Sequence, residues 1–175
     1  SYEDLYIVKS IVTSELSEQL ADVLNVKVYN VLTGFKYISE ILNDKSHSKE
    51  KLLLAFEESN GYMAKPFVRD KDAIQIVPLI IKYKNLLYAN NITLKDTLDD
   101  IYRTIGHYHS INLSPVFEGA EGQHKIEEII NSFRNKTIHQ VCGLDVKAIE
   151  DYQLGTIENI ESGEKDATYL PNTNL

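Results

Sequence analysis

Three short apolar runs alternate with two amphipathic stretches in the first third of the chain. The runs are rich in β-branched and aromatic residues, as strands are, whereas the stretches between them carry apolar residues at helical spacing. A β-α-β-α-β order predicts a mainly parallel sheet with right-handed crossovers and helices on its faces. The predicted strands are residues 5–8 with 11–12, 26–31 and 52–56, and the helical apolar faces are Leu16, Leu20, Val23 and Leu24, then Phe35, Ile38, Ile41 and Leu42. The predicted fold class is therefore α/β, with a three-layer α/β/α domain.

Two more helices are predicted before residue 107. Residues 70–90 carry Ile, Leu and Val at helical spacing, but Pro78 lies inside this pattern and predicts a kink or a late helix start. Thr93 and Asp96 form the beginning of a capping box, and Gly106 is a suitable end for the helix that follows. By the same capping rules, Thr13 or Ser14 is expected to cap the first helix of the chain.

The remainder of the chain predicts a smaller α+β region. An exposed strand is expected at residues 108–113, a flexible joint at 119–122, strands at 144–149 and 156–160, and a turn into a further strand at 171–174. Between them, Ile126, Ile129, Ile130 and Phe133 give one more amphipathic helix.

Charge and cysteine content exclude several classes of protein. The 175 residues carry a formal net charge of −8, with 26 acidic and 18 basic side chains, which argues against a nucleic-acid or anionic-membrane surface. Cys142 is the one cysteine and is expected to be a buried thiol, not a nucleophile. With neither a signal peptide nor a long apolar run, the chain is predicted to be cytoplasmic.

The loop after the third predicted strand holds the first candidate site residues. It reads Phe-Glu-Glu-Ser-Asn-Gly-Tyr at residues 56–62. Open α/β sheets bind ligands at the carboxyl ends of their strands, and side chains two residues apart in an extended segment point the same way. Glu57 and Ser59 are therefore expected to meet a ligand that carries adjacent hydroxyl groups. The alternative is an acidic loop without a ligand.

Three segments in order give a resemblance to a known family. They are Leu-Thr-Gly-Phe-Lys-Tyr-Ile at residues 32–38, the loop at 56–62, and Val-Arg-Asp-Lys-Asp at 68–72. Together they resemble the third, sugar-recognising domain of the α-D-phosphohexomutases, the phosphoglucomutase, phosphomannomutase and phosphopentomutase family. The resemblance covers roughly residues 5–110, and the rest is loosely similar to the start of the family's fourth domain. It therefore implies one domain at residues 1–110 and an incomplete α+β domain at residues 111–175.

The resemblance implies roles for five residues. Glu57 and Ser59 would hold the vicinal sugar hydroxyls, and Thr33 with Gly34 would line the same cleft. Lys71 would approach the sugar and its phosphate, where a cation can stabilise the transferring group electrostatically. The alternative for Lys71 is a solvated charge cluster at the amino end of a helix.

Four other residues have weaker signals. Arg69 is a lesser phosphate candidate, and Lys36 is interpreted as an exposed helix residue. His107 and His109 could share one face of a strand, but no third metal ligand is evident, so no metal site is predicted.

The implied activity belongs to a longer enzyme. In the family, a phosphoserine exchanges its phosphoryl group with a hexose phosphate, so that hexose 1-phosphate and 6-phosphate interconvert through a hexose 1,6-bisphosphate with Mg²⁺ bound. The phosphoserine motif, the Asp-Gly-Asp metal loop and the Arg-Pro-Ser-Gly-Thr phosphate loop do not occur in these residues. The chain is therefore expected to be an inactive, sugar-binding part of a phosphoglucomutase-type enzyme that itself holds neither Mg²⁺ nor the bisphosphate.

Partners and alternatives follow from the same resemblance. The expected partners are a phosphorylated sugar, with glucose favoured, and the remaining domains of the same protein, with neither nucleic acid nor membrane. Phosphopentomutase and phosphomannomutase remain alternatives within the family. A non-catalytic carbohydrate-binding or interaction module is the alternative from another class.

Overall fold

The computed structural model describes residues 4–136 and 138–170. The chain forms two compact units, divided between Asn112 and Leu113, and each is described by itself.

The first unit is built on a four-stranded sheet. Its strands are β1 (Leu5–Ser10), β2 (Lys27–Val31), β3 (Lys51–Glu57) and β4 (Gly61–Met63). They lie in the order β2-β1-β3-β4; β1 pairs in parallel with both β2 and β3, and only β4 runs antiparallel. The predicted mainly parallel sheet is confirmed, and the carboxyl ends of three strands meet at one edge.

Helices cover both faces of this sheet. The helices of the unit are α1 (Leu16–Val23), α2 (Phe35–Asp44), α3 (Ile76–Ala89) and α4 (Leu94–Ile105), with 3₁₀ turns at Lys45–His47 and Ala73–Gln75. On one face, Phe35, Ile38 and Leu42 of α2 pack with buried residues of all four strands. On the other face, Ala21 of α1 packs with Ile7 and Val26. The α/β/α layering predicted from the sequence is confirmed.

The ladder between β1 and β3 contains a bulge. Tyr6 pairs with Leu52, but the next residue, Ile7, pairs with Leu54, so that Leu53 is the extra residue of β3. Leu53 is exposed. After the bulge, Phe56 pairs with Lys9. Glu57, next along β3, therefore lies level with Ser10 at the carboxyl edge of the sheet.

Several details of the first two predicted elements differ in the structure. Residues 11–12 form a turn and not a strand, because β1 ends at Ser10 where the chain leaves the sheet. Val23 and Leu24 are exposed, because α1 turns only one narrow face, centred on Ala21, to the sheet. Neither Thr13 nor Ser14 is the N-cap of α1, which is Glu15 and makes no side-chain capping bond; the Ser14 hydroxyl instead accepts a hydrogen bond from the Leu16 N–H at 3.2 Å.

Pro78 delays the start of α3. The helix begins at Ile76, so that Pro78 lies in its first turn, where a missing N–H breaks no internal hydrogen bond. None of the residues of α3 is buried, and Ile80, Ile81 and Leu86 are exposed.

The predicted capping box at the start of α4 is confirmed. The Thr93 hydroxyl accepts from the Asp96 N–H at 3.1 Å, and the Asp96 carboxylate accepts from the Thr93 N–H at 2.8 Å. The helix ends at Ile105, and Gly106 caps it with a φ of 93°. These local contacts hold the pKa of Asp96 below its usual range, chiefly through the hydrogen bonds from Thr93.

The second unit combines one helix with short antiparallel strands. These are α5 (Gly119–Arg134), β5 (Gln140–Val141), β6 (Leu144–Asp145), β7 (Ala148–Asp151), β8 (Thr156–Asn159) and β9 (Lys165–Ala167). β5 pairs with β6, and β7, β8 and β9 form a three-stranded sheet. The composition is that of the predicted α+β region. Its assignment, at residues 111–175, to the start of a family fourth domain stays a prediction.

Three expectations for the later part of the chain were wrong. Residues 108–113 form no strand, since no strand among the described residues pairs with them. Residues 119–122 are helical and not a flexible joint, because Gly122 packs closely on Phe117, whose carbonyl carbon would lie 2.6 Å from an added Cβ. Residues 144–149 form parts of two strands and not one strand. The turn expected at residues 171–174 lies outside the described residues.

Cys142 and His107 are both exposed. Cys142 is exposed at a backbone φ of 51°, whereas a buried thiol was expected, because it lies in the tight turn between β5 and β6. His107 stacks on Tyr102 with ring centroids 4.2 Å apart. In the part of the chain that the structure describes, no helix is long and apolar enough to cross a membrane.

Candidate functional site

The polar loop predicted as a site is a tight turn between β3 and β4. Glu57 ends β3, residues 58–60 turn, and Gly61 pairs with Glu57 as the first residue of β4. Asn60 has a left-handed φ of 62°, a conformation that asparagine tolerates better than most residues. The loop therefore lies at the carboxyl edge of the parallel sheet, as predicted from the sequence.

Three of the five predicted site residues meet at the carboxylate of Glu57. Its Oε1 accepts a hydrogen bond from the Ser59 hydroxyl at 2.8 Å and another from the Lys71 Nζ at 2.9 Å. Glu57 is only 4% exposed, whereas the Lys71 side chain is 50% exposed. The hydrogen bond to Glu57 raises the pKa of Lys71 above its usual value.

The buried carboxylate changes the expected picture of the loop. The sequence suggested that Glu57 and Ser59 both face a ligand, but in the structure the Ser59 hydroxyl donates to Glu57 itself. A sugar hydroxyl that bonds Oε1 would therefore have to share this atom with Ser59 and Lys71 or displace one of them. Lys71 keeps half of its surface open and can contact a ligand while it is paired.

Gly61 is a residue of this site that the sequence analysis missed. A Cβ added to Gly61 would lie 2.6 Å from the Glu57 Cγ and 2.7 Å from its Oε1. Such distances are shorter than atoms in contact tolerate, so a side chain at position 61 would force the Glu57 side chain to shift from its place across β4. The Asn-Gly pair in the loop was a signal for a turn, but not for this contact.

A second loop brings Lys71 to the carboxylate. The Asp72 N–H donates to the Tyr62 carbonyl at 2.7 Å, which ties the segment to β4. The Gln75 side chain accepts from the backbone N–H groups of Ala64 and Lys65 at 3.2 and 2.8 Å. Asp72 also caps the 3₁₀ turn that precedes α3. Lys71 therefore lies in a charge cluster before a helix, as one interpretation expected, and also pairs with Glu57.

Thr33 and Gly34 lie at the same edge of the sheet, between β2 and α2. Gly34 has a φ of 122°, a conformation that favours glycine, and no side chain caps the helix there. Because β1 separates β2 from β3, these residues flank the site across one strand. Within residues 4–136 and 138–170, no hydrogen bond links Thr33 or Gly34 to Glu57, Ser59 or Lys71.

The weaker candidates have other partners. Lys36 is exposed, with its Nζ 4.6 Å from the centre of the Tyr37 ring, as expected for a helix surface residue. Arg69 donates to the Asn43 side chain, and its carbonyl accepts from the Ser39 hydroxyl at 2.6 Å. Arg69 therefore fastens the second loop to α2.

Ser10, at the end of β1, contacts the same loop and was also missed. Its side chain is fully buried, and its hydroxyl lies 2.6 Å from Glu58 Oε2 and 2.9 Å from Thr13 Oγ1. No role was predicted for Glu58, which lies between two predicted site residues. The signal was a polar residue that ends an apolar strand.

The neighbouring residue Lys9 is buried in the middle of the fold. It is 1% exposed, its Nζ lies 2.7 Å from Glu18 Oε1, and it donates to the Thr13 carbonyl at 3.1 Å. Glu18 also accepts from the Asn30 side-chain amide at 3.1 Å. A buried ammonium group needs such partners. These contacts tie α1 and the turn after β1 to the sheet.

Comparison with known proteins identifies what this arrangement resembles. Residues 2–105 match the family model of the phosphoglucomutase/phosphomannomutase alpha/beta/alpha domain III. The chain is 54% identical over 171 residues to a phosphoglucomutase of Staphylococcus saprophyticus, covering 97% of this chain and 31% of that protein. It is 46% identical over 162 residues to a phosphoglucomutase of Staphylococcus aureus strain N315, covering 93% of this chain and 29% of the relative. The chain thus spans about a third of the length of these relatives.

Proposed function

Because this chain belongs to the phosphoglucomutase/phosphomannomutase family, we propose that its first unit recognises the sugar of a hexose phosphate in a phosphoglucomutase-type enzyme. The full-length protein would interconvert hexose 1-phosphate and 6-phosphate through a bisphosphate. Glucose is the proposed sugar, since the Staphylococcus relatives are named phosphoglucomutases. The observation that carries the proposal is the cluster of Glu57, Ser59 and Lys71 at the carboxyl edge of the sheet.

This cluster has the chemistry that a phosphorylated sugar requires. A carboxylate accepts hydrogen bonds from sugar hydroxyls, a serine hydroxyl can both donate and accept, and an ammonium group attracts phosphate. Lys71 holds the Glu57 carboxylate in place and exposes its other side, so one residue both orients the acceptor and presents charge. Thr33 and Gly34 would line the cleft on the far side of β1.

Magnesium and the bisphosphate are proposed only for the full-length enzyme. Among the described residues, no group of three or more His, Cys, Asp or Glu side chains is placed to hold a metal ion. The residues proposed here bind and orient the sugar, and no step of phosphoryl transfer is assigned to them. We accordingly expect this chain alone to be inactive.

Titration of the chain with glucose 1-phosphate tests the proposal. We expect saturable shifts in the amide resonances of residues 57–61 and 71, and weaker or absent shifts with mannose 1-phosphate and ribose 1-phosphate. Glu57→Gln should weaken binding about 10- to 100-fold, since hydrogen bonds to a charged acceptor contribute roughly 1.5–3 kcal/mol. Glu40→Gln, which changes an exposed carboxylate on α2, is the matched control and should bind normally.

Activity of the full-length protein supplies a second measure. Glu57→Gln should lower phosphoglucomutase turnover far more than it lowers the melting temperature, because the Lys71 side chain that loses its partner is already half exposed to water. Unchanged turnover, or glucose 1-phosphate shifts confined to other surfaces, would contradict the proposed role of Glu57.

A further inference from the structure

The buried hydroxyl of Ser10 makes a second contact with the site loop, in addition to the one that Lys71 makes with Glu57. Ser10 ends the strand between β2 and β3, and it is fully buried. It donates to Glu58 Oε2 at 2.6 Å. A serine hydroxyl has one proton, so the 2.9 Å contact with Thr13 requires the Thr13 hydroxyl to be the donor. The hydrogen bonds thus run from Thr13 through Ser10 to Glu58.

Glu58 lies between the two loop residues proposed to bind sugar. Ser59 and Lys71 both donate to Glu57, whereas Glu58 accepts from Ser10. The turn is therefore anchored at two consecutive residues, Glu57 and Glu58. Of these two contacts, only the one between Lys71 and Glu57 consists of groups proposed to touch the sugar. When a sugar hydroxyl bonds Glu57, this contact must break or share the carboxylate oxygen with the sugar.

We propose that Ser10 is a positioning residue for sugar recognition, which keeps the loop in its binding geometry through Glu58 while Glu57 exchanges partners. This inference rests on the proposed function. A binding group must be held to within roughly 0.5 Å by residues that are themselves fixed. Ser10 meets this requirement because it lies on an inner strand, with parallel neighbours on both sides.

The hydrogen bond between Ser10 and Glu58 favours a positioning role over a purely stabilising one, because one of its partners is exposed to water. Glu58 is an exposed residue, so that water can solvate its carboxylate if Ser10 is removed. The loss of the bond therefore leaves no buried charge, and its main effect is the freedom that the loop regains. The Lys9 and Glu18 pair, which fixes the turn after β1 through the Thr13 carbonyl, remains intact in such a variant.

Five variants of the chain test the proposal, one of them the double variant that combines Ser10→Ala with Glu58→Ala. Ser10→Ala and Glu58→Ala each remove the bond, Glu58→Gln keeps an oxygen that can accept from Ser10, and Ser48→Ala is the control. Ser48 accepts from the Glu50 N–H at 3.1 Å near the start of β3, at the other end of the sheet. For each, we would measure the dissociation constant of glucose 1-phosphate, hydrogen exchange of the amides at residues 58–60, and the melting temperature.

We expect Ser10→Ala and Glu58→Ala each to weaken glucose 1-phosphate binding about 5-fold and to speed loop exchange by a similar factor, while the melting temperature changes little. The double variant should be no weaker than either single one, since both remove the same bond. Glu58→Gln should lose less than Glu58→Ala, and Ser48→Ala should bind normally. In the full-length enzyme, Ser10→Ala should raise KM with little change in kcat.

The outcomes separate the two proposals. If the wild-type chain does not bind glucose 1-phosphate, the proposed function is overturned and the positioning role falls with it. If the wild type binds and the Ser10→Ala and Glu58→Ala variants bind equally well, only the positioning role is overturned. If Ser10→Ala does not fold, Glu58→Ala alone decides, because Glu58 is exposed. A loss of binding that follows the melting temperature alone would also count against positioning.

Discussion

At the scale of single residues, the site depends on a glycine as much as on its charged groups. The Glu57 side chain lies across Gly61, its partner in the ladder between β3 and β4, where an added Cβ would be 2.6 to 2.9 Å from three Glu57 atoms. Position 61 therefore selects glycine for the space it leaves and not for a left-handed backbone. This space lets the carboxylate reach Ser59 and Lys71.

The substitution Gly61→Ala tests this contact. We expect a loss of about 1–3 kcal/mol in the free energy of unfolding, since the overlap forces the Glu57 side chain out of place. In a Glu57→Ala background the overlapping atoms are absent, and the same substitution should cost much less. Denaturant unfolding of the four proteins of this cycle measures the difference. Equal costs in both backgrounds would show that Glu57 does not occupy the space above Gly61.

Some residues of the site were predicted from the sequence and others were not. Glu57, Ser59 and Lys71 were selected from their motifs, and the structure brings all three together. Neither Gly61 nor Ser10 was selected, because their roles depend on which residue of a neighbouring strand lies opposite. Strand register is a long-range property that one segment does not encode.

At the scale of elements, Glu50 joins three parts of the first unit at the amino edge of the sheet. Its carboxylate pairs with Lys27 of β2, with Lys45 of the 3₁₀ turn at 2.7 Å, and with the Tyr29 hydroxyl at 3.0 Å. The hydrogen bonds from Lys27 and then Lys45 lower the pKa of Glu50 to about 2. Glu50 therefore fastens the start of β3 to β2.

The pH dependence of stability follows from this shift. Because the pKa of folded Glu50 is about 2, against an ordinary value of 4.5, its contribution is present above pH 4.5 and is lost as the pH falls towards 2. Glu50→Gln should therefore lower stability at pH 7 and flatten the decline between pH 5 and about 2. Urea unfolding across this range measures both effects, with Glu40→Gln as control. Parallel pH curves for Glu50→Gln and wild type would contradict the assignment.

Elements with strong local signals were predicted well. α4 has both cap residues and a terminal glycine in its own sequence, and the structure places the helix between them. Residues 108–113 have a strand-like composition, but in the part of the chain that the structure describes no strand pairs with them. A strand depends on its neighbours for hydrogen bonds, whereas a helix satisfies its own, and the wrong prediction reflects this difference.

At the scale of the whole molecule, the chain consists of two compact units, each held together by its own contacts. The match to the domain III model covers residues 2–105, within the first unit. In the second unit, Arg134 at the end of α5 donates to both carboxylate oxygens of Asp151, at 2.5 and 3.1 Å, and to Gln153 at 2.8 Å. This forked contact joins the helix to β7 and to the turn that follows it.

Removal of the fork should affect the second unit selectively. Arg134→Ala is expected to speed amide hydrogen exchange in α5, β7 and β8, because the only helix of the described part of this unit loses its paired contact with the sheet. The amides of β1 and β3 serve as an internal reference and should exchange as before. Arg103→Ala, which removes an exposed pair with Asp100 within α4, is the matched control. Unchanged exchange in β7 would show that the fork contributes little.

The extra residue in β3 determines on which side of the sheet the Glu57 side chain lies. Side chains alternate along a strand, so that a one-residue slip reverses every later side chain. If Leu53 were retained but paired with Ile7 in a regular ladder, the uninterrupted pairing from Tyr6 and Leu52 would set Phe56, not Glu57, beside Ser10. A homologue with the same number of residues but without this bulge would keep its backbone ladder and yet aim its acid at the opposite helical layer.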